Sequence, residues 1–183
     1  MLNRIYTIGH STRTLLEFVR LLREHDVARL ADIRRHPGSR RHPHFSGESL
    51  ADSLPRRAHI LYQHFPDLGG RRNPLKNSPN GAWENPQVRG YADYMASEAF
   101  HAAIDLLLDP PPTGNRQPPT AIMCAEAVPW RCHRNLTSDE LVRRGIEVIH
   151  ILGPGSAQKH ELNKMARLET DRVIYPPDQA QMF

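Results

Sequence analysis

Short apolar runs alternate along this chain with stretches of helical spacing, and that alternation restricts it to an α/β fold more than any other feature does. Residues 4–10 are rich in β-branched and aromatic types and end at Gly-His-Ser-Thr, a first strand after which Ser11 or Thr12 can cap a helix. In that helix Leu15, Phe18, Val19 and Leu22 fall at i, i+3, i+4 and i+7, and residues 28–34 form the second strand. Strand, helix and strand within about thirty residues make a right-handed parallel crossover. Residues 59–65, 121–124 and 147–152 supply further strands. Helices are expected over 48–58, interrupted at Pro55, over 87–109 with a break near Ser97, over 132–144, and from Ser156 to about Leu168. Residues 66–86 and 110–119 are dense in Pro, Gly and Asn and read as long irregular loops, and 171–183 as a tail. The expected architecture over 1–183 is therefore a single α/β domain, with a mostly parallel β-sheet of about five strands and helices on both faces.

Composition narrows the setting. At 183 residues the chain fits one domain with a real core, and 39% hydrophobic with 24% charged residues is the balance of a folded soluble protein. Net charge is +4, which favours anionic partners only mildly. No apolar run approaches the roughly 18 residues a membrane helix needs, and the start lacks the pattern of a signal peptide. The expected location is the cytoplasm, with no membrane partner, where two cysteines are free thiols, ligands or catalysts before they are a structural disulfide.

In a parallel sheet every strand's carboxyl end lies on one edge, and ligands bind there. His10 and Ser11, residues 34–41, residues 124–134 and residues 153–156 all follow strands. The richest is the stretch TAIMCAEAVPWRCHR, which places Cys124, Glu126, Arg131, Cys132, His133 and Arg134 within eleven residues. Pro129 keeps the strand from continuing, because it lacks a backbone N–H and restricts the residue before it.

The strings TIGHST, DIRRHPGSR, LGG, GYADYM and CAEAVPWRCHR, spread over nearly the whole chain, together resemble the domain-of-unknown-function family numbered 488. The resemblance implies a fold, a cytosolic prokaryotic setting and signature positions, without a reaction. Those positions are His10, Ser11, Asp32, Arg34, Pro37, Ser39, Arg40, Gly69, Tyr91, Cys124, Glu126, Pro129, Cys132, His133 and Arg134.

Several chemistries fit these residues. A thiol at a strand end, before a helix and near arginines, has a lowered pKa, so Cys124 is a candidate nucleophile; as the last inward residue of a buried strand it is a small hydrophobe. Cys124, Cys132, His133 and Glu126 contain metal-ligand types, but adjacent Cys132 and His133 on a helix point apart and the spacing is not that of structural zinc, so no metal ligands are assigned. An anion pocket with acid/base chemistry fits best. Arg34, Arg40 and Arg134 would clamp a phosphate or carboxylate, with His10, Ser11, Asp32, Ser39 and Cys132 also contacting substrate. Glu126, Cys124 and His133 are the catalytic candidates, Glu126 or His133 moving a proton as in glycosidic-bond cleavage on a nucleotide-like substrate. The rival is an ion-pair network in which Asp32 and Glu126 neutralise Arg34 and Arg134. A different class, a nucleic-acid-binding module, would use Arg34, Arg35, Arg40, Arg41, His42 and His44 along a phosphate backbone, with Phe45 stacking a base. The expected partner is an anionic small molecule or nucleotide, and no motif names a cofactor.

Overall fold

The structure, a computed structural model, describes residues 4–38, 40–111 and 118–177. Its six-stranded sheet runs β3-β2-β4-β1-β5-β6, from β1 (Arg4–Gly9), β2 (Arg29–Asp32), β3 (Leu61–His64), β4 (Thr120–Cys124), β5 (Glu147–Gly153) and β6 (Ser156–Lys159). All pairings are parallel except β5 with β6. A separate two-stranded piece pairs β7 (Arg167–Leu168) with β8 (Val173–Ile174), which docks part of the tail and buries Tyr175.

Side-chain alternation along the strands divides the core into two layers. Ile8, Leu30, Ala121 and Met123 face α1 (Leu15–Arg23) and α2 (Gly47–Ala58). Ile5, Ala31, Ile122 and Cys124 face α3 (Pro86–Tyr94), α4 (Glu98–Leu108) and α5 (Arg134–Arg143). This is the period of two that puts successive residues on opposite faces. The loop leaving β1 leads to the first layer and the loop leaving the neighbouring β4 leads to the second, so their ends part and leave a crevice between them.

Several local expectations change. The segment after Ser156 is not a helix: Gly155, at φ 59°, turns the chain back so that β6 pairs antiparallel with β5. The residues of β6 are all exposed and offer no apolar stripe that a helix would bury. Thr14, not Ser11 or Thr12, caps α1, in a capping box with Glu17. Pro55 does not interrupt α2, since it and Ala51, whose carbonyl loses its helical donor, both lie on the exposed face. The break near Ser97 is present, Ser97 capping α4. Among the described residues no helix is long and apolar enough to cross a membrane.

Candidate functional site

The loops after β1, β2 and β4 meet at the carboxyl edge around an open cavity of about 960 Å³. Eight of the sequence-derived site residues line it: His10, Ser11, Arg34, Arg40, Cys124, Glu126, Cys132 and His133. Ser39 lies outside the described residues. Asp32 and Arg134 are placed behind the wall, and residues 153–156 form the β5–β6 turn away from it.

Asp32 is fully buried beneath Arg34. The Arg34 guanidinium donates to both of its carboxylate oxygens at 2.8 and 2.5 Å, and Tyr62 donates to it at 2.8 Å. Arg34 Nη2 also donates to the carbonyl of Phe45, and Nη1 meets His10 Nε2 at 3.3 Å. Burial, and next the adjacent Arg34, depress the His10 pKa to about 4, partly offset by its bond to the Ser11 carbonyl, so its ring is neutral at pH 7. Arg34 is thus paired by Asp32, as the ion-pair reading expects. Arg134 differs: it is 1% exposed and has no carboxylate within ion-pair distance among the described residues. Its guanidinium donates to the Glu126 carbonyl at 2.6 Å and to Thr7 Oγ1 at 3.3 Å. It braces the loop from inside, where the sequence reading had it clamping substrate and paired with Glu126.

Glu126 is exposed in the cavity, and its carboxylate accepts no hydrogen bond among the described residues. Its backbone crosses close over β1: a Cβ on Gly9 would come within 1.7 Å of the Glu126 carbonyl oxygen. Only glycine lets the two strand ends approach so closely.

Cys124, Cys132 and His133 converge on one wall, their ligating atoms all within 4.8 Å of one another. Cys132 is not on a helix: it has extended backbone, φ −137° and ψ 149°, after a 3-10 turn over Pro129–Arg131, and α5 starts at Arg134. The two neighbours therefore bring their side chains to one point, against the expectation drawn from helical spacing. His133 Nε2 lies 3.1 Å from the Ile33 carbonyl, which can only accept, so the proton sits there and Nδ1 faces the sulfurs at 3.6 and 3.9 Å. Burial tends to raise the Cys132 thiol, but the Cys124 thiol, His133 and Arg134 outweigh it and hold Cys132 well below the usual range. The same contact with Cys132, and then burial, push Cys124 well up. Cys124 is thus pushed up, not lowered as the sequence reading expects for a thiol near arginines, and the lowering falls on Cys132.

Arg35 and Arg41, read from the sequence with the nucleic-acid rival, and Arg131, from the 124–134 cluster, also line the cavity, and Arg71, Asn85 and Gln87 join them without having been assigned a role. Arg71, Asn85 and Gln87 come from the 66–86 excursion and the start of α3, where the sequence shows little beyond breaker residues and the LGG string. Phe45 is fully buried, its ring stacked on His10 at 4.4 Å, which removes it as a platform for a nucleic-acid base.

Neither curated proteins nor solved structures return a match to this chain. A family model does, the domain of unknown function DUF488, over residues 14–141. That span holds β2 to β4 and the whole Cys-Glu-Cys-His loop, and the chain belongs to the DUF488 family.

Proposed function

We propose that this protein is an enzyme that binds a phosphate-bearing small molecule or nucleotide in the carboxyl-edge cavity and carries out acid/base chemistry on it. The observation behind this reading is the charge of the lining. Six arginines line the cavity against one carboxylate, Glu126. Arg34 is neutralised by Asp32, but Arg35, Arg40, Arg41, Arg71 and Arg131 have no carboxylate within ion-pair distance among the described residues. Guanidiniums held around one concavity suit the planar recognition of phosphate oxygens. Glu126 supplies the proton-transfer group, since it stands free in the cavity, whereas the free nitrogen of His133 is turned to the sulfurs.

Calorimetry with inorganic phosphate and a panel of mononucleotides tests the reading. Millimolar or tighter binding with little salt dependence is expected, weakened about tenfold or more by Arg40→Gln or Arg131→Gln, each the loss of a charged hydrogen bond. Glu126→Gln should retain that binding and abolish turnover of the ligand that binds. Absence of any anion binding would remove the proposal. Tight binding of single-stranded nucleic acid that collapses steeply with salt would favour the rival module.

A further inference from the structure

We propose that Cys124, Cys132 and His133 form a metal-ion site of the zinc class, with its fourth coordination position open to the arginine-lined cavity. A tetrahedral ion with sulfur at about 2.3 Å and nitrogen at about 2.0–2.1 Å has nitrogen–sulfur edges of about 3.6 Å. His133 Nδ1 lies 3.6 Å from one sulfur and 3.9 Å from the other, and all three atoms fall within 4.8 Å. The two nitrogen–sulfur separations are thus close to the edges of such a tetrahedron, and the two sulfurs lie within 4.8 Å of each other.

The surroundings have the features that ligating side chains require. The Ile33 carbonyl holds the far nitrogen of His133 and fixes the ring with Nδ1 toward the sulfurs, the outer contact that orients a histidine ligand. Gly70 leaves room for that ring, since a Cβ there would come within 2.8 Å of Nδ1. The backbone N–H of Arg134 donates to Cys132 Sγ at 3.5 Å, a bond that favours a thiolate over a thiol. Two sulfurs and an imidazole select zinc or cobalt(II) over magnesium or calcium. Glu126 lines the same cavity but is outside the converging set, which leaves three protein ligands and an open corner. An anion gathered by the arginines, if the reading above holds, meets the ion at that corner.

Cobalt(II) titration of the reduced, metal-free full chain tests the site directly. One equivalent should bind, with thiolate-to-cobalt charge-transfer absorption and the strong visible bands of tetrahedral cobalt, and zinc should displace it. Cys124→Ser and Cys132→Ser should each weaken binding by more than about 100-fold, beyond the effect of losing an outer contact. Inorganic phosphate should shift the visible bands. A folded wild-type chain with no charge-transfer band overturns the site, as does the same band in the Cys124→Ser/Cys132→Ser double variant. A wild-type chain that instead closes a Cys124–Cys132 disulfide in glutathione buffer, with no cobalt band once reduced, also overturns it in favour of a redox pair. Cobalt bands that ignore phosphate overturn the open corner, while phosphate calorimetry on metal-free protein judges the anion reading separately.

Discussion

Single atoms decide how the loop after β4 is held. Gly9 pairs with Cys124 across β1 and β4, and the chain then folds back so that the Glu126 carbonyl passes over Gly9 and takes a hydrogen bond from Arg134. A methyl group at position 9 would overlap backbone that cannot swing aside, so Gly9→Ala should destabilise the fold by about 1–3 kcal/mol, read as a lower urea midpoint at unchanged slope. An unchanged midpoint would show that the loop does not depend on this close approach. The types at this site were legible in the sequence, because a thiol, an acid and an imidazole in one turn exceed what a turn needs. Their roles were not. Whether Arg134 points into the cavity or under the loop depends on Thr7 and Glu126, which come from different segments.

Among the elements, α5 is the least ordinary, since its residues Arg134 to Leu141 are all buried although most are polar. Each finds a partner: Thr137 meets Tyr91, Asp139 accepts from His160, Asn163 and Tyr175, and Glu140 accepts from Arg143 and Arg144. From Asp139 the bonds run on through His160 to His150 and Thr7, at 2.8, 2.9 and 2.7 Å. Within this row a neutral His150 donates from one ring nitrogen and accepts at the other. Burial, with His160 and Arg134 beside it and Asp139 opposing weakly, lowers His150 to about 3, and His10 is lowered to about 4. In the unfolded chain both take protons near pH 6.5. Between about 6.5 and 4 the unfolded state therefore binds more protons, so stability should fall as the pH is lowered through that window. Urea midpoints at several pH values check this, and a flat profile would show that neither ring is held neutral.

The 66–86 excursion shows the same principle in a segment with almost no regular structure. Asp93 on α3 accepts from the Leu75 N–H, Ser78 Oγ and Asn80 Nδ2, and Asn80 in turn accepts from Tyr175. Asp93→Ala should speed hydrogen exchange and proteolysis across 70–85 and weaken phosphate binding, because this segment carries Gly70, Arg71 and Asn85 into the cavity. Unaltered exchange would mean that the excursion is held by other contacts. The sequence marks these residues only as breakers, since one aspartate on a distant helix organises them.

Across the whole molecule, the order β3-β2-β4-β1-β5-β6 inserts β4 between β1 and β2 and so gathers loops more than a hundred residues apart onto one rim. The sequence by itself determined the α/β class, the strand count of the main sheet to within one, and most of the segments that reach the carboxyl edge, because apolar period and breaker residues are local properties. It did not determine that residues after Ser156 form an edge strand, which depends on a hairpin with β5. Only the tertiary structure decided which arginines stay unpaired, that Arg134 turns inward, and that two cysteines and a histidine meet at metal-ligand distance. Side-chain direction, burial and charge pairing are set by neighbours brought from elsewhere in the chain, and no window of sequence contains those neighbours.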